Sequence, residues 1–144
     1  MLTVYTIEQA EAWDDLVRTF SNYAIYYLSG YVKALQLHGD GEPLLFYGEA
    51  DGVRGINVVM KRDIAADPHF AGSLPADTYF DFATPYGYGG WLLEGTGDPA
   101  PIFADYECWC GKHGIVSEFV RYHPVRGWKQ RMRSRRWAEP SPWT

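Results

Sequence analysis

The chain has 144 residues, 47% hydrophobic and 17% aromatic, enough to bury the core of one domain and too apolar for a disordered segment. Its apolar runs are short and broken by polar residues or glycine, which excludes a transmembrane helix; Met1-Leu2-Thr3-Val4-Tyr5 lacks the basic and apolar regions of a signal peptide, so a cytoplasmic protein is expected. The net charge of −5 hides a split: residues 1–120 carry 6 basic and 17 acidic side chains, a balance of −11, whereas residues 121–144 carry 7 basic and 1 acidic, a balance of +6.

Thr6-Ile7-Glu8-Gln9 has the form of a capping box, and Ile7, Ala10, Trp13, Val17 and Phe20 fall on one stripe, so an amphipathic helix is predicted over residues 7–19. A second helix is predicted from near Ser29, with Tyr31, Val32 and Leu35 turned inward, ending at Gly39. Residues 43–49 and 55–62 read as strands. Between them Ala50-Asp51-Gly52 is a hairpin signal, because Asp-Gly supplies the positive φ of a tight turn. Residues 65–77 read as a loop and residues 78–83 as a third strand. Asp98 before Pro99 predicts an N-cap with proline at N1, opening a helix with Ile102, Phe103, Tyr106 and Cys110 on one stripe and ending at Gly111 or Gly114. A fourth strand is predicted over residues 115–122.

This order predicts an α/β (α+β) domain over residues 1–124, with an antiparallel or mixed central sheet flanked by helices. From residue 125 to 144 the periodicity fails and Arg, Trp, Pro and Ser dominate, so a basic tail, disordered or irregular, is expected. Its contacts with RNA or DNA are expected to be weak and salt-sensitive. Cys108 and Cys110 stand two apart in a helical pattern and point to different faces, which predicts reduced thiols at or near the core. His38, His69, His113 and His123 show none of the usual ligand spacings, so no metal site is expected.

Two segments carry the chemistry. In Thr84-Pro85-Tyr86-Gly87-Tyr88-Gly89-Gly90 three glycines stand among aromatic rings. Such a segment suits an anion cradle, a tight turn or bulge, or a wall on which Tyr86 and Tyr88 stack against a ligand. Against the cradle, no Lys or Arg lies beside the segment, and eight residues separate Gly90 from Pro99. In Val116-Ser117-Glu118-Phe119-Val120-Arg121-Tyr122-His123-Pro124, Glu118 is a candidate general base and His123 a candidate general acid. The plainer alternative pairs Glu118 with Arg121 and leaves His123 as the residue before a turn proline. No Ser/His/Asp or Cys/His arrangement suggests a covalent nucleophile.

Together with Tyr31 and the Gly41-Glu42-Pro43-Leu44-Leu45-Phe46-Tyr47 strand, these two segments resemble the N-terminal part of Fem-like proteins. Those proteins belong to the GNAT (N-acyltransferase) superfamily, and the likeness covers roughly residues 20–124. The resemblance implies a partial GNAT-like fold and transfer of an acyl or aminoacyl group, from acyl-CoA or aminoacyl-tRNA, onto an amine acceptor. Within this frame Glu118 and His123 are the catalytic candidates, and Tyr86, Gly87, Tyr88, Gly89, Gly90 and Arg121 the substrate-binding ones. A Fem-like protein would continue for about a further domain and a half, so a truncated or frame-shifted relative, inactive alone, is expected. The alternative is a non-catalytic binding or orphan domain that retains only the scaffold. An incomplete sheet would leave an open strand edge at residues 115–124, which predicts a homodimer.

Overall fold

Gln9 Oε1 accepts the Thr6 backbone N–H at 3.0 Å, and a 3-10 turn at Ile7–Gln9 leads into helix α1, Ala10–Arg18. The predicted stripe is the buried one: Trp13, Val17 and Phe20 are almost wholly removed from solvent. A second 3-10 turn, Ile25–Tyr27, precedes helix α2, Ser29–His38, which stops at Gly39. Strands β2 (Glu42–Ala50) and β3 (Val53–Asp63) are joined by the two-residue turn Asp51-Gly52, with Gly52 at φ 71°. Helix α3 spans Ala100–Lys112, one residue later than the cap reading, and Asp98 Oδ1 still accepts the Ala100 N–H at 3.0 Å. The computed structural model describes residues 1–123. The tail expected over 125–144, with its nucleic-acid contact, lies outside the described residues.

The sheet runs β1-β2-β3-β4-β6, where β1 is Leu2–Thr6, β4 is Phe80–Ala83 and β6 is Ile115–Phe119. A further strand, β5 (Leu92–Gly95), pairs with β3 beside β4. All pairings are antiparallel except β4 with β6, which are parallel and joined through the α3 crossover. Strands β1 and β5 were not among the predicted elements. With five and four residues each they are too short for a period to be legible, and their pairing with β2 and β3 holds them.

Helices α1 and α2 cover one face of the sheet and α3 the other, so this is a mixed sheet flanked by helices. Leu45, Ile56, Val58 and Met60 meet Trp13, Val17 and Val32 on the first face. Phe46, Val59 and Phe82 meet Ile102, Tyr106 and Cys110 on the second. Alternate residues of β3 therefore serve opposite cores, which is why the strand reads as one continuous apolar run. Cys110 is buried, but Cys108 is exposed, correcting the expectation that both thiols sit at the core. No helix among the described residues is long and apolar enough to cross a membrane.

Candidate functional site

The glycine segment is an excursion from an interrupted strand. Met60 pairs with Ala83 and Ile56 pairs with Leu92, so residues 84–91 span a stretch that β3 covers with residues 57–59 alone. The surplus chain loops out as a wide bulge and is stitched at both sides. Towards β6, Thr84 N–H donates to Phe119 O at 2.9 Å, Gly89 N–H to Arg121 O at 3.0 Å, and Arg121 N–H to Thr84 Oγ1 at 3.0 Å. Towards the other side, the Tyr27 hydroxyl donates to Gly90 O at 2.9 Å and the Tyr31 hydroxyl to Tyr86 O.

Two glycines are required by this path. Gly87 holds φ 113° and a Cβ there would lie 2.4 Å from the Tyr26 ring. Gly90 holds φ 97° and a Cβ there would lie 2.8 Å from the Tyr122 ring. Gly89 has no positive φ, and its N–H is already committed to Arg121.

Of the tyrosines in the segment, Tyr86 is 75% exposed, whereas Tyr88 is half-buried. The Tyr88 ring stands 4.9 Å from the His123 ring and 6.2 Å from the Tyr26 ring, centroid to centroid. With Asn22, Ala24, Tyr27 and Gly89 these rings line a cavity of about 20 Å³, room for one water-sized group.

Glu118 has a different setting, created by an irregularity in β6. Phe80 is opposite Ile115, but Asp81 is opposite Ser117 and Phe82 opposite Glu118, so Val116 is an extra residue in the pairing. One extra residue inverts the in–out alternation of a strand. Ile115 and Glu118, three apart, consequently both turn to the α3 side, while Val116 and Phe119 are 45% and 59% exposed. On that side Asn57 of β3 extends its amide between two oxygens, donating from Nδ2 to the Tyr106 hydroxyl and to Glu118 Oε1, each at 3.4 Å.

Burial pushes the Glu118 carboxyl above the usual carboxylate range, and the hydrogen bonds from Asn57 and Tyr106 pull in the opposite direction. Burial, and then the charge of Glu118, raises the Tyr106 phenol well above its ordinary value and the Cys110 thiol to about 12. Tyr122 is raised for the same two reasons. At neutral pH the hydroxyls, thiol and amide around the carboxyl are therefore all uncharged.

Arg121 is exposed, with its guanidinium 6.0 Å from the Phe119 ring, and forms no ion pair with Glu118 among the described residues. Residues three apart on an extended chain point to opposite faces, so the Glu118–Arg121 pairing weighed above does not form. The predicted site residues thus divide into two groups. Tyr88, Gly89 and His123 share the aromatic hollow, whereas Glu118 joins Asn57, Tyr106 and Cys110.

Asn57 and Tyr106 escaped the sequence reading as site residues. Asn57 did leave a signal: it is the one amide within the apolar run Ile56-Asn57-Val58-Val59-Met60. Tyr106 was legible only as part of the α3 stripe.

At the start of α3, where an anion would be expected to bind, the Asp98 carboxylate already accepts the Ala100 N–H. Among the described residues no group of three His, Cys, Asp or Glu is placed to hold a metal ion. Comparison with protein-family models, with curated proteins and with solved structures returns no match for the chain.

Proposed function

We propose that the chain is a GNAT-related, Fem-like acyl- or aminoacyl-transfer module that acts on an amine acceptor, with Glu118 as general base. The observation that carries this reading is the Glu118 carboxyl itself, half-buried on the α3 side of the sheet among neutral groups. A desolvated carboxyl is costly for folding and is the kind of group that takes a proton from an ammonium. The element order supports the same reading: helices, an antiparallel meander, a crossover helix, then a strand parallel to its neighbour.

In the transfer, Glu118 takes a proton from the acceptor ammonium, and the freed amine attacks the acyl carbonyl. A C–N bond forms, and the ester C–O bond of an aminoacyl-tRNA or the C–S bond of an acyl-CoA breaks. The donor must then reach from Glu118 to the aromatic hollow, where His123, beside Tyr88, gives a proton to the leaving group and regains one from the nitrogen, which sheds its second proton as the amide forms. Arg121, bonded through its backbone to Thr84 and Gly89, is a lone basic residue beside the glycine segment, and the start of α3 is occupied by Asp98. Alone, the chain is therefore expected to hold an acceptor without completing transfer.

The test is calorimetric titration of a lysine-bearing peptide into the protein and into Glu118→Gln, with transfer from acyl-CoA and from aminoacyl-tRNA followed by mass spectrometry. Acceptor binding that weakens in Glu118→Gln, with no turnover by the isolated chain, is the expected result. Binding and transfer that are indifferent to Glu118→Gln would remove Glu118 from the mechanism.

A second reading, a non-catalytic binding domain, is favoured by the aromatic hollow of Tyr26, Tyr88 and His123 and by the exposed Tyr86. It requires that peptide binding survive Glu118→Gln and fail in Tyr88→Ala. On either reading β6 is an outer strand of the described sheet with Val116 and Phe119 exposed, so pairing of two copies along that edge is proposed. Light scattering that reports a monomer at micromolar concentration would overturn the dimer.

A further inference from the structure

We propose that Asn57 and Tyr106 are positioning residues that fix the Glu118 carboxyl in place and favour its ionised form, a role that rests on the reading of Glu118 as general base. The three groups come from three different elements. Asn57 lies at the middle of β3 and is 1% exposed, Tyr106 lies on the buried stripe of α3, and Glu118 lies past the irregularity in β6. The strand neighbour of Asn57 on β2 is Phe46, and that of Glu118 on β4 is Phe82, both wholly buried.

In such apolar company an aliphatic side chain at position 57 would pack with no polar group to satisfy. An amide there is explained only by what it donates to. Asn57 Nδ2 has two hydrogens, and the two acceptors within reach are the Tyr106 hydroxyl and Glu118 Oε1 at 3.4 Å each. Hydrogen bonds to an ionised carboxylate favour that form, and the low local dielectric strengthens them.

The remaining titratable groups facing this cluster are Cys110 on the same helix and Tyr122 beyond β6, both uncharged at neutral pH, with Glu107 acting on Cys110 from further along α3. Among these neighbours none is a cation. Neutral hydrogen-bond donors, Asn57 and Tyr106 among them, are therefore what favour the ionised carboxyl, and the Asn57 bond ties it to the middle of β3.

The experiment is a carbon-detected NMR pH titration of the folded protein labelled at the glutamate carboxyls, with Glu118→Gln identifying the Glu118 resonance by its loss. Asn57→Leu and Tyr106→Phe are each expected to shift the Glu118 midpoint upward, and the double variant to shift it further. Should Asn57→Leu fail to fold, Tyr106→Phe, which removes a single oxygen, decides the matter. Midpoints unchanged in folded variants would overturn the proposal. So would a loss of stability on Asn57→Leu that is the same in a Glu118→Leu background, which leaves no acceptor at position 118, since that is a packing role alone. No substrate is needed, so absent acceptor binding would count against the transferase reading and leave this result standing.

Discussion

The face of the sheet beneath α1 and α2 and the face beneath α3 are both well packed, but they are built from different materials. The first closes on Trp13, Phe20, Val32, Ile56 and Val58, with its polar groups tied at the margin, as from Trp13 Nε1 to Tyr27 O at 2.7 Å and from Ser29 Oγ to the Asp14 carboxylate at 2.8 Å. The second sets edge-to-face rings, Phe46 against Tyr106 at 4.9 Å and Trp91 against Tyr106 at 5.3 Å, around an amide, a phenol, a thiol and a carboxyl. Apolar burial stabilises in proportion to area removed from water, whereas a buried carboxyl opposes folding unless it is protonated or well bonded. One face thus carries stability, and the other holds a group whose presence stability alone does not explain.

The sharpest way to break that contrast is to cut into the first face. Trp13→Ala is expected to destabilise the protein by about 3–5 kcal/mol in a denaturant titration, since a fully buried indole leaves a cavity and frees Tyr27 O. A loss below roughly 1 kcal/mol would mean that this core is not the main source of stability.

The glycine bulge, tied to Tyr27 and Tyr31 on one side and to the β6 segment on the other, should respond next. Gly87→Ala and Gly90→Ala each combine a positive φ with a ring in the way, and each should cost more than the roughly 1 kcal/mol of an unfavourable backbone change. Gly89→Ala, whose Cβ would meet the Thr84 methyl at 2.8 Å without a positive φ, should cost less than either. Gly111→Ala, near the end of α3 with open space around it, should be neutral or stabilise by up to about 1 kcal/mol. A neutral effect at positions 87, 89 and 90 alike would mean that the segment is an ordinary loop.

Tyr27→Phe removes the hydroxyl that ties the 3-10 turn to Gly90 and should cost about 1 kcal/mol, measured by thermal or chemical unfolding.

The second face is sharpened by Glu118→Gln. The folded pKa of Glu118 lies above its unfolded value, so the folded state binds the extra proton. Its favourable contribution is complete below the ordinary carboxylate pKa and is lost as pH rises through the raised folded value. Glu118→Gln should therefore be more stable than the parent at neutral pH, with the difference closing as the solution is acidified. Unfolding curves at several pH values test this, and a gap that widens in acid would reverse the sign and remove the desolvation argument.

How legible the molecule was depended on how local each feature is. The 3.6-residue stripe of Trp13, Val17 and Phe20 and the Asp51-Gly52 turn follow from neighbouring side chains and backbone conformations, so they could be read directly. Strand β5 was not readable in that way. Trp91-Leu92-Leu93 is short, and only the β3 edge left vacant by the glycine excursion makes it a strand. Within the candidate site, Glu118 and His123 were visible as chemistry-bearing residues near the end of a strand. Their separation into two settings was not visible.

From the sequence alone came the helices, the hairpin, the sheet-with-helices class and the glycines that a close approach needs. These depend on propensity, periodicity and steric freedom, all properties of a few consecutive residues. Tertiary structure alone decided the interior of the site. Simple alternation from Ile115 would turn Ser117 inward and Glu118 outward, and the register against β4, with Val116 as the surplus residue, reverses that assignment. The same long-range pairing brings Asn57 of β3 beneath Tyr106 of α3, residues 49 apart in the chain, and makes one amide the partner of both a phenol and a carboxyl. Register is a property of two strands together, and no reading of either strand by itself contains it.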